Sequence, residues 1–153
     1  MEFCRRHVYA HIPAGCLRFA DGSFFSVEKE VWGELPARMN QCYRLGIDIG
    51  STTVKVAVID DNNKILFADY ERHYANIQET LASLLKKCKG ELGELSLRPN
   101  ITGSGGLTLS GYLHIPFVQE VVAVATALQD YAPRTDVAIE LGGEDAKIIY
   151  FTG

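Results

Sequence analysis

The sequence lacks the features of membrane, disulfide-rich and nucleic-acid-binding proteins. No apolar run reaches the roughly 20 residues that a bilayer-spanning helix needs, and no apolar segment follows the basic pair in the N-terminal MEFCRRHVYAH. The formal net charge of the 153 residues is −4, which does not favour nucleic acid. The four cysteines form no C-x-x-C pair and match no zinc-binding spacing; they are Cys4, Cys16, Cys42 and Cys88. We therefore expect a cytoplasmic protein with reduced thiols and with no membrane or nucleic-acid partner.

Two common nucleotide-binding motifs are also absent. The chain contains no G-x-x-x-x-G-K-S/T sequence, so it is not a P-loop protein. The glycines at positions 103, 105 and 106 do not make G-x-G-x-x-G, and no βαβ pattern surrounds them. Any nucleotide must therefore be held by another kind of loop.

Hydrophobic periodicity predicts a mixed α/β fold. Nearly half of the residues are apolar (47%), which is enough for a packed core. Ile- and Val-rich runs predict strands covered on both faces, and a stripe of Ile77, Leu81, Leu84, Leu85 and Cys88 predicts a helix from Asn76 to Gly90. A second helix is predicted from Phe117 to Asp130, with Phe117, Val121, Val124 and Leu128 buried. The predicted strands cover residues 43–49, 53–60, 64–72, a short segment after Pro99, 136–141 and 146–151.

Residues 1–38 show no sustained helical or strand period. One interpretation is an extension added upstream of an older start at Met39. The other is a β-rich segment in which GCLRFADGSFFSV forms a hairpin around Asp21-Gly22. The sequence leaves both open, and we divide the chain into an N-terminal extension (1–42), a main lobe (43–133) and a final hairpin (134–153).

A gapless internal repeat supplies the main functional signal. The segment IDIGSTTVKVAV, from Ile47, aligns with IELGGEDAKIIY, from Ile139, at an offset of 92 residues. Acid, glycine and lysine recur at the same places: Asp48, Gly50 and Lys55 match Glu140, Gly142 and Lys147. Each copy is predicted to be a strand, a tight polar turn and a returning strand.

The residue types in these turns suit a phosphate–metal ligand. Glycine allows close approach to the main chain, and successive N–H groups in a tight turn form a concavity for anionic oxygens. A carboxylate beside that concavity would repel a bare phosphate unless a hard cation such as Mg²⁺ stood between them. The lysines either neutralise phosphate charge or extend along the strand edge. Two such hairpins facing each other would grip a polyphosphate–Mg²⁺ complex.

The two motifs resemble the phosphate-binding motifs of the acetate kinase, sugar kinase, Hsp70 and actin superfamily. More narrowly, LGIDIGSTTVKVAVID and IELGGEDAKI resemble the long, multidomain ATPase activators of 2-hydroxyacyl-CoA dehydratases and the ATPase subunits of benzoyl-CoA reductase. The resemblance implies a ribonuclease H-like lobe with a mixed sheet opening with three antiparallel strands. It also implies a Mg²⁺-dependent ATPase that drives conformational change and electron transfer into a CoA-ester dehydratase partner, and a homodimer.

The resemblance also implies roles for individual residues. Asp48, Glu140 and Asp145 would be catalytic, with Asp48 holding Mg²⁺ directly or through water and Glu144 near the metal. The ATP phosphates would contact Gly50, Ser51, Thr52, Thr53, Lys55, Gly142 and Gly143.

Departures from the family pattern leave other functions open. The family's cluster cysteine falls near Ala123 here, and the arginine of its T-G-x-G-R motif is missing from Thr102-Gly103-Ser104-Gly105-Gly106. We therefore expect no 4Fe–4S cluster of the familiar kind. Because the superfamily's adenosine-binding motif lies in the second lobe, we also expect this chain to lack full ATPase activity alone. The alternatives are a small-molecule kinase of the same superfamily and a non-catalytic scaffold lobe.

Overall fold

In this computed structural model, the central sheet is made of strands whose side chains alternate between buried and more exposed positions. The structure describes residues 17–18, 26–27, 42–142 and 145–151 of the chain. In chain order, the elements are β1 (Leu17–Arg18), β2 (Ser26–Val27), β3 (Cys42–Ile49), β4 (Thr53–Ile59), β5 (Ile65–Arg72), α1 (Ile77–Leu92), β6 (Ser96–Thr102), α2 (Gly106–Leu113), α3 (Glu120–Tyr131), β7 (Val137–Leu141) and β8 (Ala146–Tyr150).

One face of the sheet carries the hydrophobic core. Successive side chains of a strand point to opposite faces, so every second residue of β3 and β4 joins the core. Helix α1 covers this core by packing against β4 and β5. The helix presents the predicted apolar stripe to these strands, and Ile77 lies at the edge of the cluster. The fully buried members include Leu45, Ile49, Val54, Val58, Leu84 and Cys88. Their burial supplies the main favourable term for folding.

The strand order is that of a ribonuclease H-like lobe, and the predicted fold class is confirmed. Strands β3, β4 and β5 are antiparallel neighbours, and β6 returns parallel to β3, so the sheet is mixed. The order among the described strands is β2-β1-β6-β3-β4-β5. After α2 the chain runs beside β6 again, where Phe117 forms a parallel bridge with Ile101.

The two predicted helices differ from the observed ones at their ends. Helix α1 continues through Gly90 to Leu92, because the glycine that ends it is Gly93, with φ at +75°. Asn76 precedes the helix as predicted, but its side chain contacts Glu79 instead of capping a backbone N–H. The second helix begins at Glu120 because residues 116–118 are extended against β6.

Burial along α3 also corrects the sequence prediction. Val121 is 44% exposed, so its assignment to a buried face was wrong. Val124 and Leu128 are only half-buried. Helix α2 was not predicted, because Gly106 and Gly111 lower the helix propensity of its sequence.

Two hairpins complete the described structure. Strands β7 and β8 form a separate two-stranded antiparallel sheet. Strands β1 and β2 pair as the predicted N-terminal hairpin requires, with Leu17 opposite Val27, and β1 adds to the sheet beside β6. The turn around Asp21-Gly22 lies outside the described residues, and the division of the chain into three parts stays a prediction. Within the described ranges, no helix is long and apolar enough to cross a membrane.

Candidate functional site

The β3–β4 hairpin brings all residues of the first motif together. The Gly50 N–H donates to the Thr53 carbonyl at 2.9 Å and shapes the turn. Asp48 lies opposite Lys55 in the strand register, and Lys55 Nζ is 2.7 Å from Asp48 Oδ2. The two side chains are 30% and 55% exposed, so this ion pair contributes at most about 1 kcal/mol. Lys55 can therefore exchange Asp48 for a phosphate oxygen at small cost.

The loop after β6 packs directly against this hairpin. Thr102 is the register partner of Asp48, and the Gly105 N–H donates to the Ile49 carbonyl at 2.9 Å. Gly103 has φ at +95°, and a Cβ there would stand 2.3 Å from the Ile49 oxygen and 2.6 Å from Asp48 Oδ1. Only glycine allows this approach. From the sequence, this loop was only compared with the T-G-x-G-R motif and was given no role in the site. Gly103 and Gly105, directly after a strand, were the signal that could have indicated one.

His73 lies behind the same turn, which sequence reasoning missed. It directly follows β5, is 8% exposed, and its Nε2 is 3.2 Å from the Gly50 carbonyl. The sequence alone allowed only a surface or core histidine. No local pattern links position 73 to position 50, because the sheet register creates the contact.

The β7–β8 hairpin repeats the geometry of the first. Glu140 stands opposite Lys147, as Asp48 does opposite Lys55, and the Gly142 N–H donates to the Asp145 carbonyl at 2.8 Å. The offset of 92 residues therefore applies to the strand register and to the turn. Gly143 and Glu144, also predicted for this loop, lie outside the described residues.

The second lysine is more strongly held than the first. Lys147 Nζ lies 2.8 Å from Asp145 Oδ2 and 2.7 Å from Glu120 Oε2 at the start of α3. Its hydrogen bonds to Asp145 and then to Glu120 raise the pKa of Lys147 above its ordinary value, so it remains charged at any physiological pH. The Lys147–Glu120 pair also links the second hairpin to the first lobe.

One acid of the second hairpin has unused hydrogen-bonding capacity. Glu140 Oε2 is buried and has no hydrogen-bond partner among the described residues. A buried carboxylate oxygen without a partner is costly, which suits a position that meets a cation or a water when a ligand binds. The Asp145 carboxylate instead lies close over Gly142, 2.7 Å from where a Cβ would stand.

The other face of the sheet and α3 enclose a cavity of about 650 Å³. Small side chains line both walls: Gly46, Ala57 and Ala68 on the sheet, and Ala123 and Ala127 on the helix. Asp48, Lys55 and Thr102 also contribute to the lining. The first motif therefore borders this cavity.

The described residues do not fit an iron–sulfur cluster. Ala123, at the position of the family's cluster cysteine, has no metal-binding atom. Cys88 is buried among the apolar side chains of the core, and burial raises the pKa of its thiol to about 11. No group of three or more His, Cys, Asp or Glu side chains in the described parts could hold a metal ion.

A Mg²⁺ site needs fewer protein ligands than an iron–sulfur cluster, because Mg²⁺ is usually bound together with phosphate. Mg²⁺ sites commonly combine one or two carboxylates with substrate phosphates and several waters. Asp48 offers a partly exposed carboxylate, and the hydroxyl-bearing residues Ser51, Thr52 and Thr53 follow it in the same hairpin. This donor set fits a Mg²⁺ ion bound together with a polyphosphate.

The strand order and the paired hairpins are those of an actin-like fold. The structure is similar to (R)-2-hydroxyglutaryl-CoA dehydratase component A from Acidaminococcus fermentans (TM-score 0.64, 23% identity), covering 72% of this chain and 43% of that one. It is similarly close to the activator of 2-hydroxyisocaproyl-CoA dehydratase from Clostridium difficile with bound ADPNP (TM-score 0.62, 24% identity, 72% and 41% coverage). The ethanolamine utilization protein EutJ from Carboxydothermus hydrogenoformans matches at a TM-score of 0.51 and 16% identity, covering 71% of this chain and 47% of that one.

These similarities show the fold. The chain spans less than half the length of each of the three proteins. No protein-family model matches the sequence, and no curated protein does.

Proposed function

We propose that this chain is the Mg²⁺–ATP-binding lobe of an ATPase that activates a CoA-ester dehydratase-like partner. The observation that carries the proposal is the pair of turns, 92 residues apart, with the same strand register and the same hydrogen bond from the glycine N–H to the carbonyl three residues on. The similarity to two dehydratase activators, one of them holding ADPNP, supports the choice of nucleotide and partner.

In this proposal the first hairpin binds the phosphates. Asp48 would hold Mg²⁺, directly or through water, and Lys55 would exchange Asp48 for a phosphate oxygen. The turn from Gly50 to Thr53 supplies backbone N–H groups and hydroxyls. Such preorganised charges and dipoles are the main protein contribution to phosphoryl transfer. The loop at Gly103 packs against Ile49 and Asp48, and so fixes the carboxylate in the site.

The second hairpin supplies the opposing loop. Gly142 and Gly143 would contribute to this phosphate loop, and Glu140 and Asp145 would hold the metal or orient the attacking water. Hydrolysis consumes ATP and water and yields ADP and inorganic phosphate. We propose that this reaction changes the position of the second hairpin relative to the first lobe, since Lys147 and Glu120 connect them.

The remaining expectations about the whole protein stay predictions. They are the homodimer, the cytoplasmic localisation and the electron transfer to the dehydratase. The electron-transfer step is assigned to no residue here, because Ala123 and Cys88 do not fit a cluster. We also expect ATP binding without full hydrolytic turnover from this chain alone, because less than half the length of its structural relatives is present.

Isothermal titration with Mg²⁺–ATP tests the proposal. Asp48→Asn keeps the size of the side chain but removes its charge, and we expect at least a tenfold loss of affinity, equivalent to about 1.4 kcal/mol. Asp61→Asn, an exposed acid in the β4–β5 turn, is the matched control and should bind like the wild type. Excess EDTA should weaken wild-type binding more than Asp48→Asn binding. Equal affinities for all three proteins would refute the role of Asp48, and no binding by any would refute a preassembled site in this lobe.

A further inference from the structure

His73 makes two hydrogen bonds to the first phosphate-binding turn from behind. Its backbone N–H donates to the Thr52 carbonyl at 3.1 Å, and its ring Nε2 lies 3.2 Å from the Gly50 carbonyl. The side chain is 8% exposed, so both contacts are shielded from water. One residue outside the motif thus holds two carbonyls of the turn.

The neighbouring backbone fixes the tautomer of the ring. The Ala75 N–H lies 3.1 Å from Nδ1, and a backbone N–H can only donate, so Nδ1 accepts. The neutral ring therefore carries its proton on Nε2 and donates it to the Gly50 carbonyl.

The segment that makes this bond has an uncommon backbone. Tyr74 and Ala75 both have positive φ, at 43° and 65°, which few residues other than glycine adopt. Both side chains are exposed, so their own packing does not explain the conformation. The hydrogen bonds around His73 do, because the Asn76 N–H also returns to the His73 carbonyl at 2.6 Å.

The first turn makes only one of the two hydrogen bonds that an antiparallel pair of this kind can make. The Gly50 N–H donates to the Thr53 carbonyl, and in an antiparallel pair of this kind the Thr53 N–H normally returns the bond to the Gly50 carbonyl. Among the described residues, the Gly50 carbonyl accepts from the His73 ring and makes no bond with the Thr53 N–H.

We propose that His73 is a positioning residue that keeps the first turn open for anion binding. By turning the Gly50 carbonyl toward its ring, it points that acceptor away from the Thr53 N–H and leaves that donor for a phosphate oxygen. Peptide planarity adds a second effect: because the Gly50 carbonyl points toward His73, the Ser51 N–H of the same peptide points away from it. The nucleotide part of this inference depends on the proposed function, whereas the state of the turn does not.

Two substitutions test the hydrogen bonds of the two ring nitrogens separately. His73→Gln keeps an amide donor near the Nε2 position but loses the acceptor for Ala75. His73→Asn keeps an acceptor near the Nδ1 position but cannot reach Gly50. Both remove the ring, so general loosening would affect them alike. His114→Gln and His114→Asn, at an exposed histidine after α2, are matched controls.

Amide hydrogen exchange, measured by NMR without nucleotide, is the first readout. We expect exchange of the Thr53 amide to slow at least tenfold in His73→Asn, because the turn closes, and to stay near the wild-type rate in His73→Gln. Loss of a merely structural contact would instead speed exchange. Faster Thr53 exchange in His73→Asn, or equal exchange in both variants, would overturn the proposal.

Two further measurements complete the test. We expect Mg²⁺–ATP affinity to fall at least tenfold in His73→Asn and to be retained in His73→Gln; equal loss in both would overturn the positioning role. If the wild type bound no Mg²⁺–ATP, the proposed function would fail while the exchange result still decided the state of the turn. Nitrogen-15 chemical shifts of the wild-type ring must show the Nε2-protonated tautomer, and the other tautomer would refute the inference even if neither variant folded.

Discussion

Alanine substitutions at three glycines test whether the loop after β6 is shaped by contact with the first motif. At Gly103 a Cβ would stand 2.3 Å from the Ile49 carbonyl oxygen, more than 1 Å inside ordinary contact at 3.4 Å. Positive φ costs a non-glycine residue about 1–2 kcal/mol, and forced overpacking adds about 1–3 kcal/mol. We therefore expect Gly103→Ala to lower the free energy of unfolding by ~2–5 kcal/mol.

Substitutions at the other two glycines measure the cost of positive φ and the effect of helix propensity without any steric contact. Gly93 also has positive φ, at +75°, but nothing lies within 4 Å of where its Cβ would stand, so Gly93→Ala should cost only the backbone strain of about 1–3 kcal/mol. Gly90 lies inside α1 with open space around it, so Gly90→Ala should stabilise the protein by about 0.5 kcal/mol through helix propensity.

Urea unfolding followed by circular dichroism measures all three values. The reasoning requires the order Gly90→Ala, wild type, Gly93→Ala, Gly103→Ala, from most to least stable. A Gly103→Ala protein within about 0.5 kcal/mol of the wild type, the usual range for a neutral surface substitution, would refute the close approach to Ile49. Equal losses at Gly93 and Gly103 would show that backbone strain alone, and no contact with Ile49 or Asp48, decides the cost.

Two further predictions concern the core. Burial raises the pKa of Cys88 to about 11 in the folded protein from its ordinary value of 9.0, so its contribution to stability is complete below pH 9 and is lost as the pH rises through 11. Between pH 8 and pH 10.5, the free energy of unfolding measured in urea should therefore fall by ~2 kcal/mol more for the wild type than for Cys88→Ala. Equal falls for the two proteins would contradict this. The buried Ser110 hydroxyl donates to the Ile115 carbonyl at 2.6 Å, so Ser110→Ala should cost about 1–2 kcal/mol in the same assay, and an unchanged midpoint would refute it.

Local patterns were enough for much of the fold. The apolar stripe of α1 and the alternation in β3 and β4 gave their buried faces, because each depends only on the period of one element. The repeat gave the two hairpins and the pairing of each acid with a lysine, because tight turns tie residues a few positions apart.

Predictions failed where distant residues decide the structure. Helix α3 begins at Glu120 and not at Phe117, because Phe117 pairs with Ile101 on β6. Helix α2 forms from a glycine-containing segment of low propensity, with the buried Ser110–Ile115 hydrogen bond at its end. Neither contact leaves a periodic signal in the sequence.

The sequence by itself therefore determined the α/β class, the two repeated turns and the acids and lysines that they carry, since hydrophobic periods and turn chemistry are local properties. Only the tertiary structure decided what surrounds the first turn. The parallel return of β6 places Gly103 against Asp48, and the β4–β5 pairing places His73 behind Gly50. These contacts join residues that lie far apart in the chain, and strand register, a property of the whole sheet, is what brings them together.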